Sequence, residues 1–433
     1  MLRSPFKGLD AFTRDDAARF FGRSREVVEL YNRVQSGKLT LIYGMSGTGK
    51  SSLVRCGLAN RFREHEWFPV YVRRGTDILW STAEALYFAW REETEKQQQV
   101  ETAAAAGAKE ETNSRAGRRR LLRKAPERPP ESFTTFAKDA TLEELVERVY
   151  TALYRPIYLV FDQFEELYTI NPFRKGEAYD AEARAAWEEE QRSFYRVIRN
   201  LLDNTRLHLR ILLIVREEWW ARMNEFEDYV PELGQNRMRI ERMGDREMAE
   251  VIRETARFSR QESAFQPVHL GEADDESEAA ATVAAILNVV RDQRDHSLDL
   301  VDLQLYLNRL LREFPREEAA VFTPELVATD RNQMDSVIDG FLSDSMMQIE
   351  LGLVTRWKGK EPGAATLSLV RRAKGIPLEI LFRLVTDQGT KQAVSEEELL
   401  EAPFFRQRGI GPEDIHFVLE RLEDLKITHS YES

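Results

Sequence analysis

Residues Gly44 to Ser51 read Gly-Met-Ser-Gly-Thr-Gly-Lys-Ser, three glycines followed by a lysine and a hydroxyl at the spacing that suits a bound polyphosphate. Gly44, Gly47 and Gly49 allow a tight backbone path whose N–H groups point at anionic oxygens, and a helix beginning there adds the field of its N-terminus. In such a loop Lys50 pairs with the β and γ phosphates, Ser51 offers its hydroxyl to Mg²⁺, and Thr48 and Ser52 complete the contacts. A ligand-free glycine turn is the bland alternative. It fits poorly, because an apolar strand pattern precedes the motif and a helical pattern follows it.

Phosphate chemistry with Mg²⁺ also needs a carboxylate on a neighbouring strand, and Asp162 ends the apolar run Ile157-Tyr-Leu-Val-Phe161. An apolar run ending in Asp is common by itself; paired with the glycine motif, it makes Asp162 the Walker B candidate and a metal-side partner of Ser51. Glu165 and Glu166 follow, and either can orient or deprotonate an attacking water. The next run, Ile211-Leu-Leu-Ile-Val215, ends in Arg216. A cation at that tip would lie beside the third phosphate, although a surface ion pair with Glu217 is equally compatible with the sequence.

Elements able to hold these groups can be read from periodicity. Apolar runs at 39–43, 68–72, 157–161 and 211–215 predict buried parallel strands. Helical patterns lie between them, at 51–62, 78–90, 142–154 and 181–202. The alternation predicts an α/β, P-loop NTPase parallel sheet flanked by helices. A stretch of low apolar content at about 92–130 predicts a mobile insertion, whose Arg118, Arg119, Arg120, Arg123 and Lys124 read chiefly as a solvated charge run. From Met243 the patterns turn helical, at 245–258, 279–293 and 298–313. Further helices at 376–385 and 415–425 and a short strand at 427–431 suggest a winged-helix-like end. Three units follow: a core at 1–242, an all-α helical lid at 243–333, and a winged-helix-like unit at 334–433.

Composition narrows the partners. The chain has 433 residues, 42% of them apolar, enough for at least two hydrophobic cores. A net charge of −12 gives no support to nucleic acid as a general partner, leaving only local contact. No run is long and apolar enough to span a bilayer, and the first residues lack the apolar centre of a signal peptide, so a cytoplasmic, non-membrane protein is expected. Cys56 is the only cysteine, which excludes an internal disulfide and fits a small core residue.

Taken together, Ser4-Pro-Phe-Lys-Gly-Leu-Asp-Ala-Phe12, Phe20-Phe-Gly22-Arg23-Ser-Arg25-Glu26, the glycine motif, Asp162-Gln-Phe-Glu-Glu166 and Arg216 resemble the bacterial novel STAND NTPases, relatives of AAA+ and apoptotic-type ATPases. The resemblance implies an ATPase core, a helical lid and a winged helix. It implies ATP/ADP with Mg²⁺, a closed ADP state that opens on exchange, effector or sensor partners, a nucleotide-dependent homo-oligomer, and often antiviral or stress signalling. It also implies Phe21, Gly22 and Arg23 as base-side contacts; without it the two phenylalanines would read as core. The sequence departs from the pattern by lacking the lid proline near 255–258 and a clear winged-helix histidine, for which His429 is the nearest candidate. An effector domain and a repeat array are likewise not seen.

The sequence is compatible, to unequal degrees, with three functions. One is a slow ATPase switch; another is an AAA+-like remodelling ATPase acting on nucleic acid or protein, which polymer-stimulated turnover would reveal. The third, a non-hydrolysing nucleotide scaffold, conflicts with the complete set Lys50, Ser51, Asp162 and Glu165 or Glu166.

Overall fold

The computed structural model describes residues 2–75, 77–107, 128–169, 181–272, 275–291, 295–329, 334–361, 363, 365–385 and 394–425. Five parallel strands form one sheet in the order β2-β3-β4-β1-β5: β1 (Leu39–Gly44), β2 (Phe68–Val72), β3 (Ile157–Phe161), β4 (Leu209–Arg216) and β5 (Arg237–Arg239). The first four coincide with the apolar runs. The fifth is an edge strand of sequence Arg-Met-Arg in which only Met238 is buried, so its sequence carries no apolar run to announce it.

Both faces of the sheet are covered, which is why its strands read as continuous apolar runs. On one face Leu41, Leu159, Phe161, Ile211 and Leu213 pack with side chains of α3 (Ile78–Gly107), residues Leu142–Leu153 and residues Ala181–Asp203. On the other, Ile42, Tyr158, Val160, Leu212 and Ile214 meet Leu30 and Val34 of α1 (Ser24–Ser36) and Leu53, Val54 and Leu58. Those last three residues follow α2 (Lys50–Ser52), the short helix that opens the expected 51–62 segment. It widens into a π turn at Leu53–Leu58 and ends as a 3-10 turn at Ala59–Arg61.

The helix expected at 78–90 is longer than its apolar pattern. Helix α3 does not stop near Trp90 but runs to Gly107. Its distal turns are rich in Glu, Gln, Lys and Ala, strong helix formers, and Arg91–Glu95 and Lys96–Glu92 make i,i+4 ion pairs at 3.0 and 2.6 Å. Low apolar content there marks a helix that is mostly exposed over residues 91–99, not the helix end. The basic cluster at 118–124 lies outside the described residues.

Beyond the sheet, α4 (Asp245–Gln261), α5 (Glu276–Val290) and α6 (Leu300–Arg312) build a second core. This middle module is not purely helical: β6 (Val268–Leu270) and β7 (Ala320–Phe322) pair in parallel. Three-residue strands are too short for a period-two signal. Phe6, from the far N-terminus, is buried in this same core and stacks on Phe322 at 6.4 Å. A third core joins α7 (Met334–Lys360), α8 (Thr366–Ala373), α9 (Ile376–Arg383) and α10 (Pro412–Asp424), where Trp357 Nε1 donates to Asp414 Oδ1 at 2.9 Å. The expected strand at 427–431 and His429 lie outside the described residues. Among the described residues, no helix is long and apolar enough to cross a membrane.

Candidate functional site

All five strands are parallel, so their C-terminal tips gather on one edge, the edge where open α/β sheets place ligands. In order across it stand Arg73 after β2, Asp162 after β3, Arg216 at the end of β4, and the glycine loop after β1. Registers make this row close: Val72 is opposite Phe161, and Gly44 is opposite Arg216. One expectation changes here. Asp162 is not on a strand next to the loop's own strand, because β4 intervenes; helix α2 reaches across that gap instead.

The loop has the expected backbone. Gly47 and Gly49 take φ of 77° and 83°, left-handed values that glycine adopts without strain. Ser51, on α2, donates its hydroxyl to Asp162 Oδ1 at 2.7 Å. One hydroxyl and one carboxylate oxygen so close together are hard donors that fit Mg²⁺, which is usually held through few protein ligands and keeps several waters. Asp162 is 2% exposed, a burial that two cations offset: Arg55 lies 3.4 Å and Arg73 3.8 Å from its Oδ2. Neither arginine was singled out from sequence. Arg55 stands four residues after Ser51 and so shares its helix face, while Arg73 directly follows the apolar run of β2; these were the available signals.

Lys50 folds back along its own loop, its ammonium donating to the carbonyls of Gly44 and Met45 at 2.8 and 2.6 Å. Burial pulls that ammonium below its ordinary range, and Glu165 acts against the shift. Glu165 and Glu166 are both buried. Burial raises the Glu165 carboxyl, which Arg216 opposes from two sides: its Nε lies 3.1 Å from Oε1 and its backbone N–H donates to Oε2 at 3.3 Å. Lys50, Ser51, Asp162, Glu165 and Arg216 thus meet at one edge. Such a set can neutralise phosphate charge, hold a hard cation and position water.

Of the upstream candidates, Arg23 supports the loop from behind, whereas Gly22 and Phe21 face the middle module. Arg23 is buried, donates to the carbonyls of Thr48 and Glu241 at 3.0 and 2.7 Å, and pairs with Glu26. Thr48, also buried, donates to the Met45 carbonyl at 3.0 Å. Ser52 Oγ accepts the Phe12 N–H at 3.1 Å, tying the N-terminal segment to α2. At Gly22, with φ of 78°, a Cβ would approach Val251 Cγ2 to 2.9 Å, so this glycine lets the chain pass against α4. Phe21 packs against the second core.

A parallel sheet with this loop, this carboxylate and this arginine at one edge defines a P-loop NTPase. The model of the family Novel STAND NTPase 1 matches residues 5–305, most of the chain. The protein belongs to that family. No curated relative matches. Among solved structures, the Walker-type ATPase of Pyrococcus abyssi is similar over 95% of this chain and 98% of that one, at 14% identity and a TM-score of 0.43. The Aeropyrum pernix ORC1 protein in complex with DNA is similar over 94% and 84%, at 16% identity and a TM-score of 0.40. A chain of the E. coli HORMA:CdnC:Trip13 complex is similar over 78% and 97%, at 13% identity and a TM-score of 0.40.

Proposed function

We propose that the chain binds ATP with Mg²⁺, hydrolyses it slowly, and uses the nucleotide as a conformational switch in a bacterial signalling or antiviral-defence complex. Effector or sensor proteins would be its partners, and self-association would depend on the nucleotide. The proposed units are a core at 1–242, a lid at 243–333 and a C-terminal unit at 334–433, a division supported by the change from one hydrophobic core to the next.

In this reading Lys50 neutralises phosphate charge, Ser51 and Asp162 hold Mg²⁺, and Glu165 or Glu166 orients water. Mg²⁺, when bound, supplies charge neutralisation at the phosphate oxygens. Phe21, Gly22 and Arg23 form the base side, Arg23 acting through the Thr48 carbonyl.

One observation carries the switch: Arg216 ends the strand between those of the glycine loop and Asp162, and is paired with Glu165 rather than with a distant surface acid. A γ-phosphate beside Lys50 would compete with Glu165 for that guanidinium, a charge-assisted bond that ADP cannot offer. Only such differential affinity can move a two-state equilibrium. Arg216→Ala is therefore expected to weaken a non-hydrolysable ATP analogue roughly tenfold and to leave ADP within about threefold in calorimetry. It should also remove analogue-induced changes in small-angle scattering or oligomer size. Equal losses for both nucleotides would place Arg216 away from the third phosphate.

A further inference from the structure

The edge that gathers Lys50, Arg55, Arg73 and Arg216 also receives one acid from the middle module. Asp299 precedes α6 and caps it, its Oδ1 accepting the Val301 N–H at 2.8 Å. That cap holds the carboxylate over the glycine loop. A Cβ built on Gly47 would lie 2.5 Å from Asp299 Oδ2 and 2.7 Å from Oδ1, and one on Gly49 would lie 3.6 Å from Leu300 Cδ2. The loop's crest and the helix start are thus in contact, and Gly47 leaves room for a carboxylate where any side chain would collide. Among the described residues, no basic side chain forms an ion pair with Asp299. An acid without a cationic partner beside a loop built for anions repels what that loop binds.

We propose that Asp299 is an electrostatic gate: while α6 rests on the glycine loop, its carboxylate weakens polyphosphate binding, so nucleotide occupancy and the position of the middle module are coupled. Because the repulsion grows with ligand charge, it bears more heavily on a triphosphate than on a diphosphate. Coupling is reciprocal, so a bound nucleotide loosens the contact of α6 with the loop by the same factor. This inference rests on the nucleotide-binding reading of the site.

Asp299→Asn separates charge from structure, since asparagine caps a helix as well as aspartate does. Asp299→Ser, a cap of different shape, guards against a local distortion peculiar to asparagine. Calorimetric titrations with ADP and a non-hydrolysable ATP analogue would be run on the full chain, its Lys50→Ala variant and both Asp299 variants, at about 50 and about 300 mM salt. At low salt both Asp299 variants should bind the analogue roughly tenfold more tightly than the parent and gain less with ADP, the gains shrinking at high salt. Unchanged or weaker binding in both variants, with a parent whose binding depends on Lys50, would overturn the gate alone. Absence of binding in the parent and in both Asp299 variants, or equal binding without Lys50, would overturn the phosphate-site reading and the gate with it.

Discussion

Glu165 is where burial and charge oppose each other most directly. Burial lifts its carboxyl above the ordinary 4.5, and Arg216 draws it back. A water-activating base must be ionised, so the acid limb of the hydrolysis rate should fall above pH 4.5. Arg216→Ala should move that limb upward and Glu165→Gln should abolish it, as pH–rate profiles would reveal; a limb unmoved by Glu165→Gln would shift the role to Glu166. The stability effect has a definite sign. Because the folded state keeps this proton longer than the unfolded chain, stability from this group falls as pH rises from about 4.5 through the folded value. Cys56 is the opposite kind of residue: buried, with its thiol pushed up to about 12 by burial and by Asp16, it is the inert core residue that its sequence context suggested.

The helical segment that follows the glycine loop is closely packed. Where α2 widens into its π turn, a Cβ on Gly57 would approach Val27 Cγ2 to 2.5 Å and Phe20 Cε1 to 3.0 Å, so this turn lies directly on α1. Such π turns recur at functional sites. Gly57→Ala should overpack the contact and cost about 1–3 kcal/mol. A lower urea midpoint with an unchanged slope would register it; an unchanged midpoint would show that α1 yields freely. The four apolar strands were legible because burial on both faces demands apolar runs. Strand β5 and the distal part of α3 were not, one being half-exposed at the edge and the other a helix stabilised by charge pairs in solvent rather than by an apolar stripe.

Across the whole molecule, the N-terminal segment works as a strap. Ser4 Oγ donates to Asn308 Oδ1 at 2.6 Å, the Lys7 N–H donates to Gln304 Oε1 at 2.9 Å, and Phe6 fills the second core. A few residues later the Phe12 N–H reaches Ser52 beside the glycine loop. The strap therefore joins the middle module to α2. Phe6→Ala should cost about 3–5 kcal/mol in the middle module, seen as faster amide exchange across α4, α5 and α6 than across the central strands. Exchange rising equally in both would mean that the modules unfold as one unit. In sequence the segment stood out only as part of a family resemblance, since nothing local in it names Gln304 or Asn308.

By itself the sequence determined the local arrangement: the loop, its lysine and hydroxyl, the carboxylate after β3 and the arginine that ends β4. Each depends on residues adjacent in the chain and on strand periods that burial imposes. Only the tertiary structure decided what lies beside them. Strand order put β4 between β1 and β3 and so placed Arg216 near Glu165; the register of β2 with β3 set Arg73 against Asp162; the packing of α6 laid Asp299 over Gly47. Those contacts join residues far apart in sequence through hydrogen-bond registers and core packing, which no local pattern encodes.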